Sequence, residues 1–505
     1  MIFTSIKHIK GKKEKTFFIE KVNLYIRFVE CNAQQSNQNL DEPSINDCIT
    51  TEMIKIGLIE GQEDLSLLEK VITKSVYNKL ISAISYFLSN RELLMPFLYK
   101  FRNETRAQLQ KDAMKNGKPT MVDFFCGAGG LSLGCCKAGF RVILANDILE
   151  ECCETYRFNH PELPANKVVQ DDIRLICNNI NDYISENVDM VVGGPPCQGF
   201  SSANRQRIID DPRNELYKYF LKAIAAISPK VVIMENVKGM MSVANQVVED
   251  YGAIKCQQNC IGANYVVAYR LLNSADLGVA QNRVRLIYIA IRADIAKAKN
   301  ISPDTIFAHI EKQYISHPYI LSDALSSIKP LESPREKNCT EVDDELTGKK
   351  VDINYYSSTA NPYLNLINDG RQNPYIFNHK ARYASDVNYR IFFLLKQGED
   401  ASSERIKNIM PYAHRLHCFK DKYFRLYDNK PCRTITAHLK MDCLSHIHPT
   451  QTRTITPREA ARVQSFPDDY LFLGAYLKTY MQIGNAVPVI MAKEIAKIIK
   501  QYIID

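Results

Sequence analysis

Met121-Val122-Asp123-Phe124-Phe125-Cys126-Gly127-Ala128-Gly129-Gly130-Leu131 starts apolar and breaks into glycines. Residues 121–125 read as a buried strand, short and bounded by breakers. A glycine-rich turn follows, Leu131 opens a helical pattern, and Arg141 to Ala145 forms a second strand running into Asn146-Asp147. This is a βαβ unit with an acid about twenty residues after the glycines. The arrangement suits an adenosine, because glycines admit the ligand and the carboxylate takes ribose hydroxyls. A dinucleotide fingerprint needs Gly or Ala at position 132, which is Ser132. That argues against NAD and leaves other adenosine cofactors open.

The alternation continues downstream. Lys167 to Gln170 reads as a strand ending in Asp171-Asp172, and Val188 to Val192 leads into Gly193-Gly194-Pro195-Pro196-Cys197. Leu216 to Ile227 reads as a helix, and Lys230 to Met234 as a strand ending in Glu235-Asn236-Val237. Strands alternating with helices argue an α/β, doubly wound, mostly parallel sheet. Asp147, Asp172, Cys197 and Glu235 each follow a strand's carboxyl end, the edge where such sheets bind ligands. Asp172 could also serve as a helix cap. The Pro-Pro turn should hold Cys197 rigidly, as a nucleophile or as the inert thiol that free Cys usually is. Tyr265 to Leu272 and Val284 to Ile291 are strand-like runs around Gln281-Asn282-Arg283-Val284-Arg285, and alternation puts Arg283 and Arg285 on one face. There they would form a solvated edge, or grip an anion or a base carbonyl beside Cys197.

The flanks have other textures. Residues 1–115 form an N-terminal unit with a basic start (Lys7, Lys10, Lys12, Lys13, Lys15), strand-like alternation over 17–29, a polar loop over 32–46 and one amphipathic helix from Leu65 to Phe87. Residues 103–118 read as a linker, and no catalytic constellation is evident before them. From 293 to 430 the chain is rich in Tyr, Asn, Ser, Lys and Arg without βαβ rhythm. Asn354-Tyr355-Tyr356, His379-Lys380-Ala381-Arg382-Tyr383 and His414-Arg415-Leu416-His417 interleave aromatics with donors, as base-reading surfaces do. Thr456 reads as an N-cap with Pro457 first in its helix, and the chain closes on an amphipathic helix (Ile490, Ile495, Ile498, Ile499).

With 505 residues the chain should form two or three domains. A net charge of +8 is compatible with a nucleic-acid groove. The fifteen cysteines include no C-x-x-C pair, and Cys256 and Cys260 lack a second ligand pair, so no metal is expected. The first residues contain no apolar signal region and no run is long enough to span a bilayer, so a reducing cytoplasm is the expected compartment.

Six stretches carry a resemblance. They are residues 123–134 (DFFCGAGGLSLG), 193–201 (GGPPCQGFS), 235–237 (ENV), 281–285 (QNRVR), 453–467 (RTITPREAARVQSFP) and 482–488 (QIGNAVP). In this order they resemble the cytosine-C5 DNA methyltransferases, most closely the bacterial restriction-modification type, over residues 121–505. The resemblance implies a Rossmann-like sheet of the class I S-adenosylmethionine-dependent methyltransferases. It implies a catalytic domain over 119–292, a smaller target-recognition domain over 293–452 and a C-terminal segment, 453–505, returning to the catalytic domain. It implies S-adenosylmethionine held by Phe125, Gly127, Ala128, Gly129, Gly130, Leu131, Asp147, Ile148, Asp172, Ile173, Pro196, Leu216, Asn485 and Val487. An aromatic often follows the ribose acid in this family; here it is Ile148, and the chain has no Trp.

By the same resemblance Cys197, Glu235, Arg283 and Arg285 are catalytic. C5 of cytosine is a poor nucleophile, and a thiolate adding at C6 turns the ring into an enamine whose C5 attacks a sulfonium methyl. Glu235 would hold a proton toward N3, Arg285 would sit at O2, and Arg283 near a phosphate or the cysteine. The target base must be flipped out of the stack. Gln198, Ser201, Arg205, Arg207, Arg213 and Gln281 would contact DNA, with 198–214 closing over it. Double-stranded DNA, a monomeric enzyme and a cognate restriction endonuclease encoded nearby are the implied partners. Two other readings remain: a transfer-RNA cytosine-C5 methyltransferase with the same catalytic set, and a catalytically silent DNA-binding regulator. The long 293–430 segment favours DNA.

Overall fold

The computed structural model describes residues 2–41, 44–196, 215–256, 264–354, 361–411 and 422–505. Its centre is a seven-stranded sheet of β1 (Thr120–Phe124), β2 (Arg141–Asp147), β3 (Val168–Gln170), β4 (Met190–Gly193), β5 (Val231–Val237), β6 (Tyr265–Asn273) and β7 (Val284–Arg292). The strand order is β3-β2-β1-β4-β5-β7-β6. Neighbours from β3 through β5 pair in parallel, and β7 runs antiparallel to both β5 and β6. The doubly wound α/β expectation is met. The chain goes from β1 to one side, then returns to lay β4 on the other. That reversal opens a crevice at the carboxyl ends of β1 and β4.

The Gly130–Lys137 helix is clamped between this sheet and the closing Val489–Ile499 helix. Close approach explains the glycines on it. A Cβ at Gly134 would meet Ala492 Cβ at 2.4 Å and Val489 O at 2.5 Å, and one at Gly130 would meet Val487 O at 2.5 Å. Thr456 caps the Pro457–Val463 helix through a full capping box, its hydroxyl accepting from Glu459 N–H.

The flanks depart from the sequence reading. Residues 17–29 lie in one helix, Lys12–Gln35, not a strand, and the polar stretch from 32 begins inside it. Phe18, Val22, Tyr25 and Val29 repeat at three and four, so the apparent alternation is the inward stripe of a helix. The single helix expected over 65–87 is two, Leu65–Ile72 and Lys74–Ser89, broken where Thr73 takes φ 72°. The expected linker is the helix Asn103–Lys115, and its buried Arg106 donates to the carbonyl of Arg157 at 2.7 Å.

The cores also cross the four segments read from the sequence. The N-terminal helices share one core with Phe158, Leu471, Leu473 and three residues of a two-stranded ribbon, β8 (Gly348–Ile353) and β9 (Tyr375–Lys380). Between 293 and 452, Ile306, Phe307, Leu321, Tyr363, Leu426 and Ile435 belong to the main core. A separate small core holds only residues between Ala384 and Ile447. His379 and Lys380 are buried in β9, which removes them from any base-reading surface. Tyr355, Tyr356 and residues 414–417 lie outside the described residues.

Candidate active site

A cavity of about 630 Å³ opens at the carboxyl ends of β1, β2, β4 and β5. Phe125, Gly127, Gly130, Leu131, Asp147, Ile148, Asp172, Ile173, Pro196, Leu216, Asn485 and Val487 line it, and so do Glu235, Arg283 and Arg285. Twelve of the fourteen residues expected at the cofactor are thus brought together from positions up to 362 residues apart (125 to 487).

Phe125 leaves β1 with φ 57°, a conformation costly for a side chain of this size and characteristic of functional turns. Gly127 follows at φ 52°, and nothing stands within 4 Å of where its side chain would be. Backbone there is open to a ligand. Asp147 fixes the loop: its carboxylate accepts from Gly127 N–H at 2.9 Å and from Leu149 N–H at 2.8 Å. Burial pushes its pKa up, against those hydrogen bonds. Ile148 is 62% exposed beside it, an apolar surface at the cavity rim. Asp172 does both jobs the sequence allows, lining the cavity and capping the next helix by accepting from Arg174 N–H at 2.9 Å.

Glu235 and Asn236 project from the end of β5. The Asn236 amide donates to Pro195 O at 3.0 Å, tying β5 to the Pro-Pro turn after β4. Arg285 Nε lies 3.0 Å from Glu235 Oε1, with both side chains largely buried. Gly194 sits against this carboxylate; a Cβ there would be 3.2 Å from Glu235 Oε2. The turn therefore delivers the chain at Pro196 to a cavity that an ion pair already lines. Cys197, Gln198, Ser201, Arg205, Arg207 and Arg213 lie outside the described residues.

Four expectations are corrected. Gln281 is fully buried: its amide donates to Gln464 Oε1 at 2.7 Å and its carbonyl accepts from Ile435 N–H at 2.7 Å, so it locks core segments and does not face DNA. Arg283 is 2% exposed, and its guanidinium donates to Ile435 O at 2.7 Å and Gly484 O at 3.1 Å. It braces the cavity wall, and burial pushes its pKa down to about 9. Ala128 and Gly129 do not line the cavity. The Ala128 carbonyl accepts from Tyr470, and a Cβ at Gly129 would run into the Tyr470 hydroxyl at 2.8 Å.

Sequence reasoning missed Asp123, Cys126, Asn146, Cys152, Thr436 and Ala437, all of which line the cavity. Asp123 is buried with Ser132 as its hydrogen-bond partner, and burial lifts its pKa to about 7. Thr436 and Ala437 reach the cavity because Gly484 has no side chain; a Cβ there would meet the Thr436 carbonyl carbon at 2.2 Å. The only signal for that contact was the glycine itself.

The family model for C-5 cytosine-specific DNA methylase matches residues 119–501. Similar curated proteins include type II methyltransferase M.DdeI of Desulfomicrobium norvegicum, 32% identical over 401 residues, covering 76% of this chain and 88% of the relative. Another is type II methyltransferase M1.HphI of Haemophilus parahaemolyticus, 31% identical over 382 residues, covering 75% and 86%. Among solved structures, one described as a DNA modification methyltransferase encoded within an E. coli prophage superposes with a TM-score of 0.58 at 24% identity. It covers 77% of this chain and 100% of its own, and supports the fold.

Proposed function

The chain belongs to the C-5 cytosine-specific DNA methylase family and is a DNA cytosine methyltransferase; on that premise we propose that it methylates C5 of a cytosine flipped out of duplex DNA. The methyl donor is S-adenosylmethionine, the route is a covalent bond from Cys197 Sγ to C6, and the service is protection of DNA in a restriction-modification system. The observation that carries this reading is the Glu235–Arg285 pair, 3.0 Å apart, in a cavity that also holds Asp147 and the Pro195-Pro196 turn preceding Cys197.

The residues present fit the cofactor. Asp147 offers a carboxylate to ribose hydroxyls, and Phe125, Ile148, Ile173, Pro196 and Leu216 offer apolar surface to adenine. Gly127 leaves the backbone accessible, and the cavity falls within the ~300–1,000 Å³ usual for such ligands. When bound, the cofactor supplies an electrophilic methyl on a sulfonium.

The chain's own residues do the rest. Cys197, as thiolate, adds to C6 and pushes an electron pair toward N3, where Glu235 supplies a proton. C5, now part of an enamine, takes the methyl. Arg285 faces O2 and holds the Glu235 carboxylate in place. Loss of the C5 proton to water then restores the double bond and expels the Cys197 thiolate, and N3 returns its proton to Glu235. Enclosure by protein, with water displaced, strengthens each of these charge contacts.

Random-sequence duplex DNA carrying 5-fluorocytosine tests this route, because fluorine at C5 blocks the final proton loss. An adduct stable in denaturing gel, absent in Cys197→Ser, is the expected result. No adduct in the presence of cofactor, from protein that methylates ordinary DNA, would contradict the covalent route.

A further inference from the structure

The N-terminal helix Lys12–Gln35 lies before the 119–501 stretch that the family model matches, yet two adjacent residues on it grip both walls of the cofactor cavity. Lys21 is 7% exposed, and its ammonium donates to Ile2 O at 2.8 Å and to Glu154 Oε2 at 2.8 Å. Glu154 stands on the Glu150–Asn159 helix, which follows directly on Asp147 and Ile148. Arg157 anchors the same carboxylate from the other side at 2.7 Å. Glu20 turns the other way. Both its oxygens accept from Gly474 N–H at 3.0 Å, and it pairs with Lys350 on β8. Gly474 lies just before the Tyr476–Asn485 helix, whose far end supplies Gly484 and Asn485 to the cavity. The two gripped segments also meet each other, since Lys478 Nζ lies 3.3 Å from Glu151.

We propose that Glu20 and Lys21 are positioning residues for the methyl donor: they set the distance between the Asp147–Ile148 wall and the Asn485–Val487 wall, and so tune cofactor affinity from outside the stretch that the family model matches. The inference rests on the reading that this cavity holds S-adenosylmethionine. Neither residue lines the cavity. Each acts through a helix whose end does, and rigid packed helices carry such a displacement over their length. The pairing is chemically specific. Lysine reaches a buried carboxylate and a carbonyl as a point donor, and the neighbouring glutamate accepts a backbone N–H while paired to a second lysine. A helix docking by apolar contact alone would need neither.

The test is cofactor binding to the full-length protein, with S-adenosylmethionine and S-adenosylhomocysteine as probes in calorimetry. Lys21→Met and Glu20→Gln are compared with wild type, and thermal melting and duplex-DNA binding are measured on the same samples. Each variant should weaken cofactor binding on the order of tenfold, with DNA affinity within about twofold. Glu20→Gln preserves shape and serves if Lys21→Met does not fold. Cofactor affinity unchanged in a folded variant overturns the inference, as does an equal loss of DNA and cofactor binding, which would mark a merely structural contact. Wild-type protein that binds neither probe overturns the reading of the cavity itself, and this inference with it.

Discussion

Arg285 Nε and Glu235 Oε1 meet 3.0 Å apart across the antiparallel β5–β7 pair, where Arg285 stands opposite Val237, two residues beyond the glutamate. The strand reversal makes this contact: a parallel β7 would bring a different residue to the end of β5. Glu235→Gln keeps the shape and removes the acid that the proposed route needs at N3. It should slow single-turnover methylation on the order of 10²–10⁴-fold. A near wild-type rate in rapid quench would remove Glu235 from the chemistry. Arg285→Ala should also slow the reaction, because the carboxylate loses its partner.

Asp147 joins the glycine loop to the next helix through two backbone N–H groups, and it faces the cavity with what remains. Asp147→Ala should weaken S-adenosylmethionine binding by roughly 10- to 100-fold, the size of one hydrogen bond to a charged group. Calorimetry with the cofactor alone reads this, and DNA affinity serves as the internal control.

Arg453 and Glu459 form a bidentate pair, 2.7 and 2.6 Å, with both side chains fully buried. Arg453→Met leaves the Glu459 charge buried without that partner and should destabilise the protein by about 3–5 kcal/mol. Urea unfolding checks it.

Three buried imidazoles set a pH dependence. Burial pushes His379 down to about 4, and His446 and His448 down to about 3. Unfolded histidine titrates near 6.5. The stability these groups contribute is therefore fully present above about pH 6.5 and is lost as pH falls toward their folded values, by about 1.4 kcal/mol per pH unit for each. Asp123, raised to about 7 by burial, opposes one of them between its ordinary value and pH 7. The urea midpoint should fall between pH 7 and pH 5. A flat or rising midpoint would contradict the burial of these rings.

The central sheet was legible because β1, β2, β4 and β5 are short apolar runs that stop at Gly, Pro or an acid, and local chemistry decides such elements. Asp147, Asp172 and Glu235 were legible for the same reason, since each follows a strand's carboxyl end, whereas Asn485 and Val487 came only with the family resemblance and Asp123, Asn146 and Thr436 were not read at all. Arg283 was not. Alternation correctly paired it with Arg285, but its guanidinium is absorbed by carbonyls at 435 and 484, contacts that only folding creates. The N-terminal unit misled because apolar residues at 18, 22, 24, 26 and 28 satisfy period 2 as well as period 3.6 over so short a window, and the longer inward stripe that settles it includes Tyr25 and Val29. Its fusion to Phe158, Tyr375 and Leu473 had no local trace at all.

The central claim is that this chain methylates cytosine in duplex DNA through Cys197. Bisulfite sequencing of genomic DNA from a methylation-free bacterial host expressing the chain, beside one expressing Cys197→Ser, tests it most directly. The account predicts methylated cytosines in one fixed short context with the wild type and none with the variant. An unmodified genome in the presence of soluble wild-type protein, or equal methylation by the variant, would contradict it.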